Sequence, residues 1–229
     1  MPTATVTVAE TEQKVIVPFE AQGEYDVAEP KNVNKGFAFR FLKRTFDIVV
    51  SFFALVILII PMLIIALCIR LTSEGGALYS QERLGKNGKP FKIVKFRTMY
   101  SDSEKNGAQW SAGDDDDRIT PIGRFLRNSR IDELPQLWCI FTGKMSFVGP
   151  RPERECFYNE FEKYIHGFKH RLLVTPGLTG LAQVNGGYEL RPEEKIYFDV
   201  EYIEKRSLLF DLKIIFQTVK VVFTHDGAK

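Results

Sequence analysis

The chain has 229 residues, 45% hydrophobic and 26% charged. That excludes wholesale disorder and leaves room for a domain with its own core. Its 31 basic residues offset 29 acidic ones to a net charge of +2, so no overall basic field points to nucleic acid. The three cysteines, Cys68, Cys139 and Cys156, lie far apart with no CxxC spacing. They suggest neither a disulfide framework nor a zinc site, and they suit a reducing compartment.

Residues 1–36 are polar, acidic and poor in periodic hydrophobics. They read as a flexible arm with one short extended piece at Lys14–Phe19. Phe37–Phe46 is basic and aromatic, suited to a lipid headgroup zone. From Ile48 to Ile69 the chain carries no charge. A straight helix there would reach roughly 33 Å, enough to cross a bilayer core. Pro61 lies inside the run; it deletes a backbone hydrogen bond and crowds the preceding turn, so a bend is predicted there. Neither arm alone is long enough to cross. Lys35, Arg40, Lys43 and Arg44 precede the run, and Arg70, Arg83, Lys86, Lys89, Lys92, Lys95 and Arg97 follow it. Spanning helices concentrate such charge on one side. Two topologies satisfy these residues: a Pro-kinked span, or a re-entrant helix that enters and leaves by the cytoplasmic face. A freed carbonyl at the bend needs a partner in lipid. Ile60 offers none, so Ser51 or the Lys43–Arg44 segment is the expected source.

Beyond the apolar run, Ala77–Gln81 and Phe91–Phe96 read as strands joined through the Asn-Gly turn of Gly85–Gly88. Gly113–Asp117 is an acidic loop. Thr120 caps a helix that starts at Pro121 and ends near Asn128. A second helix is predicted over Asp132–Phe141, and an amphipathic one over Glu153–Leu173. Gly177–Gly187 reads as loop, and Pro192–Lys205 and Leu208–Phe223 as helices. Beside an anchor, a helix both basic and aromatic suits the membrane interface.

The chemistry concentrates in Arg124–Pro152. No phosphate-cradling glycine motif, GxSxG elbow or HExxH is present, and His166, His170 and His225 are the only histidines. Carboxylates and arginines remain. Asp132 and Glu133 are adjacent, and Pro135 two residues on is tolerated only in a first helical turn, so the pair sits at a helix start. Neighbours on a helix point about 100° apart, so the two carboxylates do not duplicate each other. Arg127 and Arg130 lie just upstream, and Arg151 stands between two prolines; guanidinium groups suit bidentate phosphate contact. Isolated from other signals, such acids are ordinary dipole-complementing residues and such arginines ordinary ion pairs.

Five ordered blocks change that weighing. They are Lys43-Arg44 with Phe46-Asp47; Gln81–Met99, QERLGKNGKPFKIVKFRTM; Ile119–Trp138, ITPIGRFLRNSRIDELPQLW; Gly143–Glu153, GKMSFVGPRPE; and Thr175–Gly186, TPGLTGLAQVNG. Over about residues 40–224 the chain resembles the monotopic phosphoglycosyl transferases, bacterial sugar transferases that prime polyprenol-linked glycan assembly. The family often has Ser-Pro at its membrane bend, where this chain has Ile60-Pro61.

The resemblance implies an α+β, mostly helical, monotopic membrane protein with an N-terminal re-entrant helix and a small β-hairpin. The parts are an arm at 1–36, a basic flank and re-entrant helix at 37–71, and a cytoplasmic catalytic domain with interfacial helices at 72–229. It implies Asp132 as nucleophile toward the β-phosphorus of a UDP-sugar, with UMP released and an aspartyl phospho-sugar held. Glu133 resembles the ligand of a Mg²⁺ ion, and Arg127 a phosphate contact, with Arg130 and Arg151 beside it. Lys95 and Arg97 in the second block, and Gln183 in the fifth, complete the expected substrate-binding set. The acceptor is a polyprenyl phosphate, undecaprenyl phosphate, in membrane lipid at the cytoplasmic face of a bacterial cell membrane. A homodimer is compatible with this reading, and nucleic acid is not a partner.

Two rivals stand beside it. A direct glycosyltransferase would use a DxD metal motif, and the run Asp114–Asp117 contains one, but no βαβ series surrounds it. A non-catalytic membrane scaffold is the other, against which the intact dyad speaks. No motif reads the sugar.

Overall fold

A computed structural model describes residues 15–16, 21–100, 103, 108–109, 117–187 and 190–224. The expected extended piece at Lys14–Phe19 is described only as strand β1, Val15–Ile16, and the acidic loop Gly113–Asp117 only at Asp117.

The architecture is mixed and mostly helical. Helix α1 runs over Phe37–Thr72, 36 residues, with Pro61 inside it. It is long and apolar enough to cross a membrane. Only Asp47, Ser51 and Ile69 are buried along it, while Ile57, Ile60 and Leu63 stand exposed. The helical assignment continues through Pro61. The two groups expected to compensate a bend there are committed elsewhere: Ser51 Oγ donates to the Asp47 carbonyl one turn back, at 2.5 Å, and Lys43 and Arg44 face the domain.

The domain begins with the hairpin β3, Leu78–Leu84, and β4, Pro90–Phe96, paired antiparallel from Leu78↔Phe96 to Leu84↔Pro90. Its first strand is longer than the predicted Ala77–Gln81. Asn87 at its turn has φ 58° and Gly88 φ 71°, the left-handed conformation that Asn-Gly accepts most readily. Strand β5, Ala108–Gln109, pairs with β1. Helix α2, Pro121–Asn128, has Thr120 as its cap, whose hydroxyl accepts from Gly123 N at 3.0 Å. A 3₁₀ turn, Ile131–Gln136, then leads into α3, Leu137–Phe141, where one helix from Asp132 was predicted.

Strand β6, Ser146–Val148, pairs in parallel with β8, Gly177–Thr179. The expected loop over Gly177–Gly187 therefore holds a strand and a helix, α5, Leu181–Val184. Gly149 and Gly177 let the backbones cross here: a Cβ on Gly177 would meet Gly149 N at 2.1 Å. The expected helix Glu153–Leu173 is three pieces: α4, Glu155–Phe161; β7, Ile165–His166; and a 3₁₀ turn, Phe168–Leu173. Gly167, at φ 99°, takes a conformation no helix tolerates. The apolar spacing of Phe157, Phe161, Ile165 and Phe168 is still real, because all four enter one core cluster. Helices α6, Pro192–Lys205, and α7, Leu208–Thr224, match their predicted ranges closely.

Part of the arm is docked rather than free. Strand β2, Tyr25–Asp26, pairs with β7, Val27 enters the α4 core cluster, and the Lys35 ammonium donates to the Glu204 carbonyl at 2.9 Å.

The start of α1 is stapled to the domain. Asp47 accepts from Ser146 Oγ and Phe147 N, each at 3.1 Å. Lys43 Nζ meets Asp211 of α7 at 2.6 Å and the Val148 carbonyl at 3.0 Å. Arg44 donates to the carbonyls of Ile140 and Phe141 at 2.7 and 2.6 Å, which closes the C-terminus of α3. Lys43 and Arg44 thus serve the domain rather than lipid headgroups.

Candidate active site

The dyad is presented by the 3₁₀ turn after α2. Arg130, at φ 57°, reverses the chain between the two elements and turns Asp132 and Glu133 inward. They are 6% and 7% exposed. Both line a cavity of about 720 Å³ whose charged end also carries Lys95, Arg127, Arg130 and Arg151.

The neighbouring carboxylates occupy different electrostatic settings. Glu133 Oε1 takes Lys95 Nζ at 3.0 Å and also Arg151 Nη2, while Arg151 Nη1 reaches Oε2 at 3.4 Å. Asp132 only grazes Lys95, at 4.0 Å. Burial pushes the Asp132 carboxyl up to about 6; Lys95 opposes this without cancelling it, and the charge on Glu133 adds to it. Burial acts upward on Glu133 as well, but Arg151 and Lys95 together hold its carboxyl well below the usual range. The two adjacent acids thus differ in how readily they give up their proton, Glu133 far more readily than Asp132.

Arg127 is oriented by its Nε–H donating to Thr98 Oγ1 at 3.0 Å. Gln183 lines the same cavity, with both amide atoms buried and unpartnered among the described residues. Arg97 lines the cavity too, but its guanidinium is committed to the end of α1. Nη2 donates to the Ser73 carbonyl and hydroxyl, each at 2.9 Å, and Nη1 to the Glu74 carbonyl. Arg97 thus also clamps the helix it follows.

Three features had no sequence signal. Thr98 positions Arg127. Arg171 pairs with Asp199 at 2.6 Å, the two being 3% and 0% exposed. Arg83 pairs with Glu153 at 2.9 Å. The last two pairs flank Arg151. The proline bracket accounts for their presence: Pro150 and Pro152 have no N–H, so the segment is held by its carbonyls. Pro150 accepts from Gly177 N at 2.9 Å, Arg151 from Arg171 Nη2 at 2.9 Å, and Glu153 from Leu84 N at 3.0 Å.

Among the described residues no three metal-ligating side chains converge. Adjacent carboxylates are a donor set of the kind a hard cation such as magnesium takes one or two at a time, with phosphate oxygens and water completing its shell; in this structure Lys95 and Arg151 hold the Glu133 oxygens.

Residues 38–225 match a family model described as bacterial sugar transferase. The chain is 40% identical over 194 residues to the UDP-N-acetylgalactosamine-undecaprenyl-phosphate N-acetylgalactosaminephosphotransferase of Aeromonas hydrophila, covering 83% of this chain and 46% of that protein. It is 39% identical over 194 residues to the UDP-glucose:undecaprenyl-phosphate glucose-1-phosphate transferase of Escherichia coli K12, covering 82% and 42%. A protein of the same name from Caulobacter vibrioides is 41% identical over 192 residues, covering 81% and 71%. The chain thus spans less than half the length of the first two relatives.

Proposed function

The chain belongs to the bacterial sugar transferase family, and from that premise we propose that it transfers a sugar 1-phosphate from a UDP-sugar to a polyprenyl phosphate. The observation that carries this reading is the split dyad. Among the described residues Asp132 is the carboxylate left nearly unpaired, and Glu133 is the one wrapped in cations.

In the first step Asp132 Oδ attacks the β-phosphorus of the donor. An Oδ–P bond forms, the bond from that phosphorus to the bridging oxygen breaks, and UMP leaves with that oxygen. In the second step a phosphate oxygen of the acceptor attacks the same phosphorus, the Oδ–P bond breaks, and the polyprenyl-diphospho-sugar leaves. Lys95, Arg127, Arg130 and Arg151 surround the position the diphosphate would take, and Gln183 offers an amide for a donor hydroxyl or carbonyl. Glu133, with Asp132 beside it, would hold Mg²⁺, which when bound neutralises diphosphate charge. The relatives are named for different sugars at nearly equal identity, and we leave the sugar open among UDP-hexoses and UDP-N-acetylhexosamines.

The membrane arrangement belongs to the same reading: α1 is re-entrant and the domain sits on the cytoplasmic face, where a soluble nucleotide sugar is available. The support is that both ends of α1 are tied to one domain, through Asp47, Lys43 and Arg44 at its start and Arg97 at its end. The deciding experiment incubates purified protein in nanodiscs with undecaprenyl phosphate and a panel of UDP-sugars. UMP as the released nucleotide is the expected result. UDP would mean direct glycosyl transfer, and no release with any donor would refute the proposal.

A further inference from the structure

The cavity that holds the dyad is not polar throughout. Away from the carboxylates its wall becomes Leu134, Leu137, Phe147, Leu178, Ile215 and Val219. A nucleotide sugar has no apolar part large enough to match this wall, and leaving it wet is unfavourable. Where the apolar wall lies shows what fits it. Leu134, Leu137, Phe147 and Leu178 belong to the cluster that packs against Ala54, Leu55 and Leu58 of α1, and Phe147 meets Phe46 edge-on at 5.9 Å. The remaining wall is α7, whose outer side exposes Leu209 at 80% and Phe216 at 73%, with Lys213 and Lys220 beside them. One cavity therefore joins a cluster of cations to an apolar trough bounded by the two most lipid-compatible elements of the protein.

We infer that this trough, between the β8–Leu134 side and the Ile215–Val219 stretch of α7, is the subsite for the first isoprene units of the acceptor, and that the acceptor enters beside α7 with its phosphate leading. The inference rests on the proposed reaction for the identity of the ligand. Its shape argument is independent: the trough takes an amphiphile with an anionic head and a flexible apolar tail. Ligand sites commonly have volumes of about 300–1,000 Å³, and the cavity's about 720 Å³ is shared between its charged end and the trough, so the trough takes only the head-proximal isoprene units while the rest stays in the bilayer. The arrangement also gives the two substrates separate approaches, the donor from water over the hairpin side and the acceptor from lipid.

The test uses full-length protein in nanodiscs and a prenyl phosphate carrying a diazirine on its second isoprene unit, with no donor present. Photolabel is expected on the peptides containing Leu178 and Ile215–Val222. Val219→Trp, which fills the trough, and Ile215→Asn, which makes its wall polar, are each checked for wild-type melting. Either should weaken labelling and raise the apparent KM for undecaprenyl phosphate about tenfold or more, with single-turnover UMP release from donor alone unchanged. Labelling confined to α1, an unchanged acceptor KM in both variants, or equal loss in both half-reactions would overturn the inference. A wild type that labels on α7 yet releases UMP from no UDP-sugar would sink the proposed reaction and leave the prenyl phosphate subsite standing.

Discussion

Arg171 donates a hydrogen bond to the main-chain carbonyl of Arg151 at 2.9 Å, and Arg151 in turn binds the Glu133 carboxylate. Arg171 is itself fixed by Asp199 of α6 at 2.6 Å. Helix α6 thus sets the position of a cation of the candidate site through two successive polar contacts. Asp199→Asn leaves Arg171 buried without its counter-charge, so a loss of about 3–5 kcal/mol is expected in chemical denaturation. Arg171→Met with Asp199→Leu removes both charges and should recover most of that stability. Activity in the double variant should stay about 10–100-fold down, because the Arg151 carbonyl has lost its donor.

Asp132→Asn should reduce turnover by about 10³-fold or more while leaving the melting temperature near that of the wild type, since the group it replaces is nearly unpaired. Intact-protein mass spectrometry after incubation with donor alone should show a phospho-sugar adduct on the wild type and none on the variant. An adduct on the Asn variant would place the nucleophile elsewhere.

The pH profile should carry the same residue. Asp132 acts ionised, and its carboxyl is raised to about 6. The rate of the first half-reaction should therefore fall as pH drops through about 6 and level off above it. Lys95 lowers that value, so Lys95→Met should move the acid limb to higher pH as well as weaken donor binding. An acid limb that does not move would show that Lys95 serves Glu133 alone.

Glu133→Gln removes the acceptor for two cations and the carboxylate assigned to magnesium. Activity should be lost or require far more Mg²⁺, and chelator should inhibit the wild type reversibly. Full activity of the wild type in excess chelator would end the magnesium assignment without touching that of Asp132.

The dyad and Arg127, Arg130, Arg151, Lys95 and Gln183 were legible because short ordered blocks carried them, and the structure brings them to one cavity. The hairpin, the Thr120 cap and the last two helices were legible because their turn, cap and periodic residues act locally. Arg97 also lines the cavity, but its bonds to the carbonyls of Ser73 and Glu74 had no sequence signal, because an arginine beside a phosphate site looks alike in sequence whether or not it also holds backbone carbonyls. The Glu153–Leu173 segment misled in a related way. Its apolar spacing fits a helix, yet Gly167 breaks it and the same side chains reach one core from three short elements. Partnerships such as Arg171 with Asp199 have no local signature, since 28 positions separate the two.

Topology can be decided by cysteine labelling in intact cells. With native cysteines removed, Ala21→Cys and Glu201→Cys should both resist an impermeant maleimide until the membrane is opened. Reaction at residue 21 alone would make α1 a span.

The packing of α1 bears on how the molecule is made. Before Pro61, Ala54, Leu55 and Leu58 cover Phe91, Ile93, Leu137 and Met145. Beyond Pro61, Met62, Ile65 and Ala66, with buried Ile69, cover Phe96 and Leu126. Cutting residues 37–72 away would not release a water-soluble enzyme; it would strip one wall from two cores that the hairpin and the dyad-bearing turn share. Helix α1 is therefore part of the fold that positions the dyad, and the hairpin and the dyad-bearing turn complete their packing only with it in place.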